Sequence, residues 1–120
     1  MSGIQLGPVD ARFADIVWSH EPLPSGELVK LCGEELKWKK STTYTVLKKF
    51  CERGIFQNRD GVVSALISKS ELYGMQSEKF IEEVFDGSLP AFIAAFTRRK
   101  PLSAEEIAEI REMIDSAGEV

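Results

Sequence analysis

Five consecutive hydroxyl side chains, Ser41, Thr42, Thr43, Tyr44 and Thr45, are flanked by Lys37, Lys39, Lys40, Lys48, Lys49 and Arg53. The chemistry open to such a set is recognition. Hydroxyls exchange hydrogen bonds with base edges, and lysines and arginines meet phosphates. On a 3.6-residue period Thr43, Val46, Leu47 and Phe50 share one side, and Ser41, Tyr44, Thr45 and Lys48 share the opposite side. A helix with a buriable inner face and an outer face of hydroxyls and cations suits insertion into a nucleic-acid groove. Covalent chemistry finds no comparable set. His20 is the single histidine, placed where a helix ends, and the carboxylates Glu82, Glu83, Glu105, Glu106, Glu109 and Glu112 fall on exposed helix faces. The glycines punctuate helices and a hairpin instead of forming a phosphate loop. Cys32 and Cys51 stand among apolar helix positions without a CxxC or Cys/His cluster, and are expected to be reduced core residues. No enzyme activity, metal or cofactor is expected.

Net charge argues against nucleic acid until its distribution is considered. The chain of 120 residues carries −4 overall. Residues 37–60 hold seven bases against two acids, whereas residues 1–36 hold two bases and six acids and residues 69–120 hold six bases and eleven acids. Local basic density is the electrostatic footprint that matters. A solvated surface helix would also carry lysines, so charge alone leaves both readings open. No apolar run approaches the ~20 residues that span a bilayer, and the N-terminus lacks the basic-then-apolar pattern of a secretory signal. The cytoplasm is the expected compartment.

The elements that must position this helix follow from periodicity and capping residues. Residues 1–8, with Gly3, Gly7 and Pro8, are expected to be loose. Asp10 is expected to cap a first helix over 11–20, ended by Glu21-Pro22-Leu23-Pro24. Ser25 is expected to cap a second helix over 26–36. The third, over 41–53, ends at Gly54. Two strands over 55–59 and 62–68 are joined by Asp60-Gly61, a two-residue hairpin signature. Three helices and a two-stranded hairpin make a winged helix-turn-helix, with Arg59 at the wing tip able to reach a phosphate or to stand idle on the surface.

Beyond it, Ser68-Lys-Ser-Glu71 and Ser103-Ala-Glu-Glu106 are capping boxes. They open helices over 69–86 and 104–116, with another over 88–97 between them. The segment 92–96 has apolar groups on more than one side, and a helix of that kind is usually buried or paired with another chain. The expected fold class is therefore mainly α: a winged helix over 1–69 and a helical dimerisation domain over 70–120. Phe80, Val84, Phe85, Phe92, Ile93, Phe96, Ile107, Ile110 and Ile114 are the expected dimer contacts. Packing of these helices back onto the N-terminal domain of the same chain is the alternative.

Several stretches together resemble one family. They are Ile16-Val17-Trp18, the Trp38…Thr42…Thr45…Leu47 pattern, Arg53-Gly54, Phe80-Ile-Glu-Glu-Val-Phe-Asp-Gly87 and Leu102-Ser-Ala-Glu-Glu-Ile107. In order and spacing they are similar to the penicillinase-repressor and methicillin-resistance-regulator family of bacterial winged-helix repressors. The resemblance implies a homodimeric transcriptional repressor on an inverted-repeat operator, with double-stranded DNA as partner. It implies base contacts at Ser41, Thr42, Tyr44 and Thr45. Thr42 and Thr45 keep the usual residue type. Ser41 and Tyr44 stand where the best-known members carry basic residues, and Lys40 replaces a proline. With the charges around them, the expected DNA-binding set is Lys39, Lys40, Ser41, Thr42, Tyr44, Thr45, Lys48, Lys49 and Arg59. Members that guard beta-lactam resistance are inactivated by proteolysis under a membrane sensor peptidase. The matching bond here is Ala95–Phe96, where plain core packing of Phe96 is the competing role. The copper-responsive branch carries a C-terminal cysteine cluster, and this chain has no cysteine after Cys51. A different class remains open beside the repressor: a winged helix that binds another protein, with the helical tail as an assembly device.

Overall fold

The computed structural model describes residues 6–118. In chain order these form α1 (Pro8–His20), β1 (Leu23–Pro24), α2 (Ser25–Glu35), α3 (Lys40–Glu52), β2 (Phe56–Arg59), β3 (Val62–Ala65), α4 (Lys69–Phe85), α5 (Leu89–Arg99) and α6 (Ala104–Ala117). The architecture is mainly α: a winged helix followed by further helices. The expected loose N-terminus falls mostly on residues 1–5, outside the described residues. The chain divides into two compact units, Met1–Ser77 and Glu78–Val120, with the division inside α4.

The first unit is built around side chains that the helical period places on one face. Phe13, Ala14, Ile16 and Val17 of α1 are buried, with Leu28 and Cys32 of α2 and Thr43, Leu47 and Phe50 of α3. Phe50 lies 5.1 Å from Phe13 and stacks on Phe56 at the same distance, while Trp18 meets Phe56 edge-on at 5.6 Å. A fully buried Phe contributes about 1.5–3 kcal/mol from water exclusion, and favourable ring pairs add about 0.5–1.5 kcal/mol. The wing sheet closes this core through Ile55, Phe56 and Val63. Trp18 Nε1–H donates to the Ile67 carbonyl at 3.0 Å and so ties α1 to the segment entering α4, where Leu72 is fully buried.

Local details depart from the expected boundaries for identifiable reasons. α1 starts three residues early, at Pro8, with Gly7 as its N-cap. Proline's fixed φ and missing N–H suit the first turn, so Asp10 sits inside that turn instead of capping it. The sheet has a third strand. Leu23 pairs with Val63 and Pro24 with Val62, giving the order β1-β3-β2. Proline is tolerated there because β1 is an edge strand. Ser25 opens α2 without capping it by its side chain. Both capping boxes form: Ser68 and Glu71 exchange bonds of 3.0 and 3.1 Å at the start of α4, and Ser103 and Glu106 do the same for α6.

The second unit lacks a closed centre of its own. Neither α5 nor α6 contains a fully buried residue. Phe85 and Phe92 lie 5.6 Å apart, edge to face, with Phe80 and Phe96 packed around them. Asp86 and Gly87 turn the chain between α4 and α5 with φ of 50° and 80°. Ser88 Oγ then caps α5 by accepting from the Ala91 N–H at 3.1 Å.

Candidate nucleic-acid interface

The entry to α3 is fixed before its surface is presented. Lys37 takes a left-handed φ of 60°, which reverses the chain after α2. The Trp38 N–H then returns to the Cys32 carbonyl at 3.3 Å, and the Trp38 ring stacks on Phe13 at 5.7 Å. Arg12 of α1 donates to the Glu35 carbonyl at 3.0 Å, satisfying an acceptor at the end of α2. These contacts lock α2, the turn and the start of α3 onto one core. Thr43 is buried, and its hydroxyl donates to the Lys39 carbonyl at 3.2 Å. Burial pushes the Cys32 thiol up.

With that inner face committed, the outer face is open. Ser41, Thr42, Thr45, Lys48 and Lys49 are exposed along α3, with Lys39 and Lys40 at its start. Thr45 Oγ1 donates to the Ser41 carbonyl at 2.9 Å. Its one proton is thereby used, and its lone pairs remain for an outside donor such as a base amino group. Lys37, Lys39, Lys40, Lys48, Lys49, Arg53 and Arg59 take part in neither ion pair observed among the described residues, which join Lys69 to Asp15 and Lys79 to Glu83. Their charge is unspent among the described residues.

Tyr44 differs from its expected companions. It is half-buried, its ring packs against the core, and its hydroxyl donates to Ser25 Oγ at 3.0 Å. The Ser25 N–H in turn donates to the Gly61 carbonyl at 2.8 Å. A chain of contacts thus runs from α3 through the first residue of α2 to the wing turn. Sequence periodicity carries no sign of this link, because Ser25 is 19 residues from Tyr44.

The wing itself is short and firmly held. Asp60 and Gly61 have φ of 55° and 80°, as a type I′ turn requires. Arg59 pairs with Val62 across the turn and is exposed. Gln57 Nε2–H donates to Ser64 Oγ at 3.0 Å across the strands, and Glu21 Oε1 accepts from the Ala65 N–H at 2.7 Å. Cys51, half-buried on α3, has its thiol pushed up by burial and partly lowered again by a backbone hydrogen bond from Asn58 of β2. Both cysteines are free thiols.

In the second unit the expected dimer residues stand at a surface. Phe80, Val84, Phe96, Ile107 and Ile114 are exposed, Val84 by 59% and Phe96 by 47%, while Phe85, Phe92, Ile93 and Ile110 are half-buried. Between α5 and α6 lies an apolar groove of about 270 Å³ lined by Phe92, Ile93, Phe96, Leu102 and Ile110. Ala95 is half-buried in the middle of α5. No helix among the described residues is long and apolar enough to cross a membrane.

Comparison with known proteins agrees over nearly the whole chain. The penicillinase repressor family model matches residues 6–116. A penicillinase repressor of Bacillus licheniformis is 22% identical over 115 residues, which cover 92% of this chain and 90% of that protein. The methicillin resistance regulatory protein MecI of Staphylococcus aureus is 20% identical over 115 residues, 92% of this chain and 94% of that protein. Its counterpart in Mammaliicoccus sciuri is 21% identical over the same length.

Proposed function

The chain belongs to the penicillinase repressor family, and on that basis we propose that it represses transcription as a homodimer on an inverted-repeat operator. It is a regulator and not an enzyme. The observation that carries the reading is the two-sidedness of α3. Thr43, Leu47 and Phe50 hold it to the core, while Ser41, Thr42 and Thr45 face out between exposed Lys39, Lys40, Lys48 and Lys49. In the proposed complex α3 lies in the major groove, its hydroxyls read base edges, and Arg59 brings the wing to the backbone. Tyr44 acts chiefly by fixing α3 against α2 and the wing turn through Ser25. Its ring edge and the lone pairs of its hydroxyl remain to meet a base.

The second unit supplies the dimer. Its exposed Phe80, Val84, Phe96, Ile107 and Ile114 are covered by the same residues of a second copy, because a two-fold interface uses one patch twice. Such a dimer sets two α3 helices for half-sites about one DNA turn apart. The relatives' names tie them to penicillinase and methicillin resistance, and beta-lactam resistance genes are the proposed targets of this chain. Proteolysis of the Ala95–Phe96 bond, prompted by a membrane sensor peptidase, is the proposed off-switch. That bond lies inside α5, so α5 must unwind before a protease can take it in extended form. The proposed compartment is the cytoplasm.

A binding titration with duplexes selected from random DNA tests this reading. A repressor gives a log–log salt slope near −0.9 for each phosphate neutralised, about 6–10 phosphates per dimer, and prefers selected over scrambled sequence. A flat salt response with no sequence preference would make α3 a protein-binding surface instead.

A further inference from the structure

Between α3 and β2 runs a groove with an apolar floor and a polar rim. Its volume is about 550 Å³, and Tyr44, Leu47, Lys48 and Cys51 of α3 face Phe56, Gln57 and Asn58 of β2, with Leu66 beyond them. That is within the ~300–1,000 Å³ typical of small-molecule sites, which pair apolar walls with a few placed polar groups. Leu47 and Phe56 are buried and form the floor, whereas Leu66 is an aliphatic side chain left 54% exposed. The lining contains no carboxylate. Its one cation, Lys48, is exposed and takes part in no ion pair among the described residues. One Gln57 amide hydrogen is committed to Ser64, which leaves its carbonyl and the exposed Asn58 amide as further polar groups at the rim.

We propose that this groove binds a small monocarboxylate with an aromatic or branched apolar body, and that its occupation weakens DNA binding. The body lies on Leu47, Phe56 and Leu66, and the carboxylate takes Lys48. A phosphate can use Lys48 equally well, but the DNA backbone has no apolar body to cover Leu66 and the floor. Duplex and small acid therefore share one cation and exclude each other. By linkage each lowers the affinity of the other by the same factor. Only the antagonism rests on α3 being the DNA reader. Binding in the groove stands independently of it.

Cys51 lines the groove and reports on it directly. The full chain is labelled with N-ethylmaleimide in the presence of 4-phenylbutanoate, 4-phenylbutanamide or neither, with Cys51→Ser as the blank. Saturating 4-phenylbutanoate is expected to slow labelling by about tenfold or more, and the amide to need about fivefold more ligand for the same protection. Lys48→Gln should erase the difference between the two compounds, and Leu66→Glu should weaken both. Labelling unaffected by the carboxylate overturns the proposal. So does equal protection by acid and amide, or protection by duplex DNA alone, which would make the groove part of the DNA footprint. In the second arm, 4-phenylbutanoate lowers the affinity for a selected duplex. Unchanged affinity in a chain that binds the duplex overturns the antagonism. A chain that binds no duplex defeats the reading of α3, and protection of Cys51 then decides for or against the groove by itself.

Discussion

The two units solve the same problem, hiding apolar surface, in opposite ways. The first closes on itself. Phe13, Phe50, Phe56, Leu28 and Val63 are fully buried, and the remaining apolar side chains pack around them. The second gathers four phenylalanines, Phe80, Phe85, Phe92 and Phe96, yet buries none of them fully among the described residues. A short helical segment has too little interior to bury its own apolar surface, and exposed apolar patches of this sort mark sites of association. The first unit therefore closes its core by itself, whereas the second leaves apolar surface that the proposed dimer would cover. Phe50→Ala puts that contrast under the greatest load. Phe50 touches both Phe13 and Phe56, and its truncation is expected to destabilise the first unit by about 3–5 kcal/mol. Urea unfolding followed by Trp fluorescence reads the loss, because Trp18 and Trp38 pack against this core. A loss below about 1 kcal/mol would mean the core is not closed.

Phe96→Asp asks the matching question of the second unit. In one isolated chain Phe96 is 47% exposed and touches Phe92, so a charge there loses that contact but can still reach water. Covered by a second copy, the substitution buries an unpaired carboxylate twice across the two-fold axis. Dimerisation should then weaken by about 2–4 kcal/mol per site, while unfolding of the first unit stays unchanged. Sedimentation over a concentration series decides. A variant that remains as dimeric as the parent would show that this face serves something other than self-association.

Within the first unit the contrast recurs between the two faces of α3. Thr43 and Thr45 are two positions apart, one buried and one exposed, and both spend their proton on a backbone carbonyl of their own helix or its N-cap. Thr45→Ala should leave stability within about 0.5 kcal/mol and reduce discrimination between selected and scrambled duplex by about 1–3 kcal/mol. Lys49→Ala should weaken both duplexes alike and reduce the salt slope by about 1. Equal loss on both duplexes from Thr45→Ala would demote it from reader to positioning residue.

Much of this arrangement is legible in the chain. The period of α3 marks Thr43, Leu47 and Phe50 as its inner side, and Asp60-Gly61 marks a turn with two left-handed residues, because few other pairs adopt that backbone easily. Ser68-Glu71 and Ser103-Glu106 mark two helix starts, because each cap is made within four consecutive residues. What escapes is non-local. β1 is two residues long and contains Pro24, so only its pairing with Val62 and Val63 makes it a strand. Tyr44 has the outward phase of a reader, yet Ser25 captures its hydroxyl and the core takes its ring. The groove beside Cys51 depends on how β2 approaches α3, which no spacing along α3 encodes.

The smallest effect tests whether the two units hold their turns by the same means. Lys37 between α2 and α3, and Asp86 between α4 and α5, are non-glycine residues in the left-handed region, with φ of 60° and 50°. That conformation costs most L-residues about 1–2 kcal/mol. Glycine removes the clash of Cβ with the carbonyl, but it also enlarges the unfolded ensemble by about 0.4–1 kcal/mol. Lys37→Gly should therefore stabilise the first unit by a net of about 0.5 kcal/mol, or about 2–4 °C in its melting temperature. Asp86→Gly should gain less, near zero, because aspartate enters the left-handed region more readily than lysine does. Differential scanning calorimetry of both variants measures the pair. A larger gain at Asp86 than at Lys37 would mean that the second unit carries strain at its turn which the first does not.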